Sequence, residues 1–311
     1  MLNILRMENY RLLRSRYPKM ILLVVLVVVI GMLFFSDILL PKVGESMQED
    51  IQAQAGQAGT QEQVDLVPRE LTDGQQNPED SSPISLDLNF EMGMDDANEI
   101  LHYDSLLEGF FNFIKPSSAP IFLIIGLFTA IFISENYKTG FAKNYVGNFT
   151  DRGHIIFAQY LSALIFTFGT LLIVFVTFIL FKVFITSDTV PFGNFPESLP
   201  AIAGQLLSYA AFVAMIFLVY YLTRSQAQTI IFAVLYSIDV ISQILRVLEL
   251  ALKSFLKLDV SLADKLLGVR MSDLSFLDNP ADIMTLAIYA FFIICVSLGL
   301  SSLKFQRSDI H

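Results

Sequence analysis

Four polar residues interrupt one otherwise apolar stretch: Asp239, Gln243, Arg246 and Glu249. Offsets of four and three place the first three on nearly one face of a helix, and Glu249 lies one turn further on. Ionisable groups are costly inside a membrane helix and turn there toward protein or water. The set therefore has two readings. It is a polar lining on a transport path or gate, or it is an internal ion pair with Arg246 and Glu249 snorkelling to the interface. Asp239 is the deepest of the four. Glu135 closes another apolar run, where it either pairs with basic residues of the N-terminal segment or is an ordinary interface residue.

Soluble catalytic chemistry has little to work with. There is no GxxxxGK[ST] loop to cradle phosphates and no HExxH pair for zinc. The three histidines, His102, His154 and His311, are too scattered along the chain to define a metal site. The single cysteine, Cys295, cannot form an intrachain disulfide and reads as a small apolar residue. No serine stands beside an ordered base. No metal or cofactor is expected on this chain.

The elements that must carry these residues are set by hydropathy. The chain is 54% hydrophobic and 16% charged, with 28 Phe and no Trp. Six apolar segments, 20–40, 117–134, 156–183, 201–222, 229–250 and 281–303, are each long enough to cross a core of about 30 Å as a helix. The expected class is therefore an all-α polytopic membrane protein with six transmembrane helices. Segment 20–40 is too long for a signal peptide and reads as a retained span.

Charge orients the spans. Arg6, Arg11, Arg14, Arg16 and Lys19 precede the first span, with Leu2, Ile4, Leu5, Leu12 and Leu13 between them. Residues 1–19 thus read as a cytoplasmic amphipathic segment, a short interfacial helix that turns into the membrane at Pro18. Basic residues also follow the second span (Lys138, Lys143, Arg152), the fourth (Arg224) and the sixth (Lys304, Arg307). Both termini are placed inside by this pattern, in a plasma membrane. The net charge of −10 is concentrated elsewhere: residues 41–115 hold 16 Asp or Glu against three Lys or Arg. Such acidity excludes a nucleic-acid surface. It reads as a large extracellular insertion over 41–116, with a plausible amphipathic helix around residues 100–113 that packs on the outer end of the bundle. The remaining connections are a cytoplasmic loop at 135–155, an extracellular loop at 184–200, extracellular amphipathic helices at 251–280 and a cytoplasmic tail at 304–311. Gly169 is a candidate close-packing position in the third span.

One connection carries a motif. The second span leads into Glu135-Asn136-Tyr137-Lys138-Thr139-Gly140 and, after a short helix, into Asp151-Arg152-Gly153-His154-Ile155-Ile156-Phe157-Ala158-Gln159-Tyr160. With the basic N-terminus, the first span and the outer insertion, this pattern resembles the permease subunit of type-2 ABC exporters. Members often carry Ser-Arg and Ala-Lys in the second piece, where this chain has Asp151-Arg152 and Ala158-Gln159. The resemblance implies a bacterial cell-membrane exporter in which two permease subunits, identical or related, pair in the membrane. Each docks on a separate ATP-binding subunit, and that partner binds ATP and Mg and hydrolyses the nucleotide; this chain hydrolyses nothing. The coupling contacts it implies are Glu135, Tyr137, Lys138, Phe141, Lys143, Tyr145, Phe149 and Arg152, helped by the N-terminal segment. These residues have a plainer alternative, anchoring a loop to anionic membrane lipid. The transported substrate is expected to be an amphipathic or antimicrobial peptide. A contrasting function is a membrane sensor or immunity protein that binds an extracellular peptide through 41–116 without moving it. A membrane-embedded protease lacks its paired acidic and histidine motifs here.

Overall fold

The computed structural model describes residues 2–14, 16–39, 105–115, 120–138, 153–186, 191–256, 261, 263–273 and 280–306. The chain divides into two compact units, Met1–Leu33 with His102–His311, and Phe34–Leu101. In the second unit only residues 34–39 are described, closing in a π turn at Phe35–Leu39. The first unit holds the rest of the described structure.

All regular structure of that first unit is helical among the described residues. The helices are α1 (Leu2–Arg14), α2 (Arg16–Phe34), α3 (Leu106–Phe113), α4 (Ile121–Lys138), α5 (Gly153–Phe181), α6 (Phe195–Thr223), α7 (Gln226–Ser237), α8 (Val240–Leu256), α9 (Leu267–Asp273) and α10 (Pro280–Gln306). A 3-10 turn at Ala263–Lys265 precedes α9. α6 is the central helix: 61% of its apolar window is enclosed by protein, against 22% for α2 and for α10. It packs on α10, α4, α7 and α5. Phe111, Ala201, Ala211, Leu267, Ile283, Leu286 and Ala290 form a buried cluster drawn from α3, α6, α9 and α10. Gly126 lets α4, α6 and α7 meet. A Cβ there would stand 3.0 Å from the Phe212 ring and 3.2 Å from the Ala233 methyl.

Two expectations about the membrane architecture are overturned. Among the described residues four helices, not six, are long and apolar enough to cross a membrane: Tyr17–Phe34, Gly153–Ile185, Phe195–Thr223 and Ala281–Gln306. The segment expected over 117–134 yields a shorter apolar helix, Ile121–Glu135. Pro120 explains the start at Ile121, since proline lacks an N–H and disfavours helix at the residue before it. The segment over 229–250 is broken between α7 and α8 by a bend of 74°, so a fifth span exists only if that pair counts as one. The break falls at Ile238 and Asp239, where Asp239 adopts a left-handed φ of 59°. A short polar side chain tolerates that conformation better than its apolar neighbours would.

The second correction concerns the insertion over 41–116. No discrete insertion is found among the described residues, and residues 41–104 lie outside them. Its final part is buried within the bundle. α3, the expected helix near residues 100–113, buries Leu107 and Phe111 almost completely. Ser105 starts it, its Oγ accepting from the Glu108 N–H at 3.2 Å. The next two N–H groups, of Leu106 and Leu107, donate to the carbonyls of Pro191 and Phe192. Gly193 lets that stretch of backbone close over the helix start: its φ is +94°, and a Cβ would lie 2.8 Å from Ser105 Cβ. At the other end Gln205 Nε2 donates to Phe111 O at 3.4 Å, and the Tyr209 hydroxyl donates to Ile114 O at 2.7 Å. The orphan groups of a short helix are thus satisfied by its neighbours at both ends.

Gly169 is open rather than close-packed: among the described residues nothing lies within 4 Å of a Cβ placed there.

Candidate functional site

Among the described residues, a buried polar arrangement lies where α1 meets the bundle. α1 is amphipathic, and its inner stripe at four-residue spacing is Ile4, Glu8 and Leu12, all buried. This stripe packs against α5. A carboxylate in the middle of it must be compensated. Glu8 is 1% exposed and meets Arg11 Nη2 at 3.0 Å. Burial pushes its carboxyl above the ordinary 4.5, while the Arg11 charge and a hydrogen bond with Gln159 pull it back down.

Gln159 carries the contact inward. It lies on α5, is buried, and accepts at Oε1 from the Tyr221 hydroxyl of α6 at 3.0 Å. The Tyr221 ring meets Phe305 of α10 edge-on, with centroids 5.6 Å apart. Arg11 in turn stacks over Phe132 of α4, 5.4 Å from the ring centroid. One chain of polar and aromatic contacts therefore joins α1, α4, α5, α6 and α10.

A cleft opens beside this chain of contacts. Its walls include Arg11, Tyr17 and Pro18 from the N-terminal helices, and Phe128, Phe132 and Glu135 from α4. The structure thus brings Glu135 and the basic N-terminal segment to one place. A second cleft, between the start of α5 and the end of α10, is lined by Gly153, His154, Phe157, Gly299, Ser302 and Gln306.

The expected site residues are distributed unevenly. Arg6, Arg14 and Lys19 are exposed, and Arg14 donates to the Tyr10 hydroxyl at 3.2 Å. The Arg16 side chain lies outside the described set. The helix boundary falls near residue 15 rather than at Pro18, which sits in the first turn of α2, where proline is tolerated. Tyr137 and Lys138 lie on the last turn of α4, their side chains outside the described set. Phe141, Lys143, Tyr145, Phe149 and Arg152 lie outside the described residues.

The polar set near Asp239 does not share one continuous helix face. Asp239 stands at the break, and its carbonyl accepts from Ser242 Oγ at 2.8 Å and from the Gln243 N–H. Gln243 and Arg246 are exposed. No carboxylate pairs with Arg246 among the described residues. Glu249 accepts instead from the Ala263 N–H and so ties α8 to the 3-10 turn. Among the described residues no three His, Cys, Asp or Glu side chains gather as metal ligands.

Sequence reasoning missed Glu8 and the role of Gln159. The signal was present for Glu8, a carboxylate at the centre of the apolar stripe of a basic helix. Compared with known proteins, the chain matches no family model, no curated protein and no solved structure. Its helical, apolar, multi-span build is consistent with a membrane-embedded protein of the transport or permease type.

Proposed function

We propose that this chain is the membrane subunit of an ATP-driven exporter, paired with a second permease subunit and driven by two copies of a separate ATP-binding protein. The observation that carries the reading is the docking of α1 through buried Glu8 onto Gln159 of α5, and through it onto Tyr221 of α6. A helix so attached is suited to pass a push from a soluble partner into the membrane helices. The segment between α4 and α5, residues 139–152, joins two helices that both end beside α1. It is the natural second contact for that partner, with Lys143, Tyr145, Phe149 and Arg152 as docking residues.

The basic residues Arg6, Arg11, Arg14, Arg224 and Lys304 belong to this same end of the bundle, which supports placing it in the cytoplasm. ATP and Mg act in the partner, and this chain hydrolyses nothing. An amphipathic peptide is the proposed cargo.

Purification from the native membrane under mild detergent tests the reading. The expected result is a stoichiometric P-loop ATPase whose retention is lost on combined Lys143→Glu and Arg152→Glu substitution. Recovery of the chain without any ATPase would defeat the proposal and favour a receptor-like role.

A further inference from the structure

Two opposite charges lie exposed at the middle depth of the bundle. α6 has 29 residues and is about 43 Å long, roughly 13 Å more than a hydrocarbon core of about 30 Å. α7 runs back along α6 after the turn at Arg224, and near its end Tyr236 stacks on Phe212 with ring centroids 5.3 Å apart. Phe212 is about 17 Å from Thr223 and about 26 Å from Phe195 along α6. Asp239, three residues beyond Tyr236, therefore lies near the middle of α6. It is inside the core wherever the membrane is placed along that helix.

Asp239, Gln243 and Arg246 are all exposed at this level. α8 leaves α7 at 74°, so Arg246, about 10 Å along α8, rises only about 3 Å further in the direction of α7. Ionisable side chains at such depth turn to protein or water and pair with one another. Long basic side chains can snorkel, but an aspartate is too short to reach the headgroups. Asp239 holds Ser242 and Gln243 through its carbonyl, which leaves the carboxylate facing outward from the corner. Asp239 and Arg246 are thus opposite in sign, both exposed, and unmatched to each other within the chain. In a two-fold contact residue i of one copy meets residue j of the other, and j meets i. A patch that carries both signs is complementary to itself under that symmetry.

We propose that a second copy of this chain covers the α7–α8 corner, with Asp239 of each copy paired with Arg246 of the other. Gln243 adds a neutral polar contact, and Leu250, 68% exposed and about 40° from Arg246 around α8, adds an apolar one. The inference rests on the paired-subunit part of the reading above and needs no ATPase.

The test uses two full-length copies with different affinity tags, produced together in a Cys295→Ser background and kept in their native membrane. One carries Asp239→Cys and the other Arg246→Cys. A short bifunctional thiol reagent is expected to link these two. It is expected to leave Asp239→Cys unlinked to a copy carrying Leu172→Cys, on the exposed side of α5. Without the added cysteines, one tag retrieves the other in mild detergent. Asp239→Asn suits the left-handed backbone and removes the charge, so it is expected to lower that recovery several-fold, as is Arg246→Glu. Retrieval of one tag by the other with no link between Asp239→Cys and Arg246→Cys would overturn this surface while leaving the pairing of subunits intact. Rapid labelling of Asp239→Cys by a membrane-impermeant maleimide, again with no link, would overturn it by placing the corner in water. Failure of either tag to retrieve the other, with no link in the membrane, would defeat the proposal and the pairing of identical subunits with it.

Discussion

Glu8 is the residue whose chemistry most directly sets how α1 is held. Its carboxyl is raised by burial, so folding shifts its balance toward the protonated form. The docked state therefore binds the proton more tightly than the undocked one. Docking is fully stabilised below the ordinary carboxyl value of 4.5 and weakens as pH rises through the raised value. Arg11 and Gln159 limit that loss. A spin label at Tyr10→Cys, in a Cys295→Ser background, is expected to grow more mobile as pH rises through this window. Glu8→Gln keeps the shape and the hydrogen-bonding reach without the charge, so its label mobility stays flat with pH. A parallel rise in both proteins would assign the titration to another group. At this scale the sequence is only partly legible. Hydropathy treats Glu8 as one more charge in a basic segment, and only the four-residue spacing to Ile4 and Leu12 marks it as inward-facing. Asp239, Gln243 and Arg246 show the opposite failure. Their spacing implies a shared face only along an unbroken helix, and the left-handed backbone at Asp239 removes that condition.

Among the elements, α2, α5, α6 and α10 are readable from sequence because each is a long apolar run whose ends are marked by charge or proline. α4, α7 and α8 are not, because a hydropathy window sums side chains and ignores where the backbone stops. Their apolar content is real, yet α4 starts only at Ile121 and α7 ends at Ser237. α3 is legible as an amphipathic helix, but its burial inside the bundle depends on partners far away in sequence. Tyr209 is the most specific of these. Its hydroxyl holds Ile114 O, while its ring packs edge-on against Phe122 at 5.3 Å. Tyr209→Phe keeps the ring and removes the bond, leaving a buried carbonyl unpaired at a cost of about 1–3 kcal/mol. Thermal unfolding in detergent is expected to show a lower midpoint for Tyr209→Phe than for the parent. An unchanged midpoint would mean that α3 is secured by its packing and its Pro191 and Phe192 contacts alone.

On the scale of the whole bundle, its two ends differ in kind. One end carries α3, sealed by the 191–194 backbone and by α6 side chains, together with the α8–α9 corner. The other carries α1, the ends of α4, α6 and α10, and the polar chain through Glu8, Gln159 and Tyr221. The first end is built from backbone hydrogen bonds and apolar burial, and the second from a buried charge and two open clefts. The proposed reading uses this asymmetry: a helix bundle driven from one side would be closed at one end and take its push through α1 at the other. The measurement that tests it most directly is the distance between spin labels at Tyr10→Cys on α1 and Phe157→Cys on α5. It is made in the Cys295→Ser chain purified with the proposed ATP-binding partner, without nucleotide and with Mg-ATP trapped by vanadate. An exporter subunit driven through α1 predicts a shifted distance distribution in the trapped state, lost with Glu8→Ala. An identical distribution in both states, while ATP is being hydrolysed, would contradict the claim that α1 transmits the partner's motion.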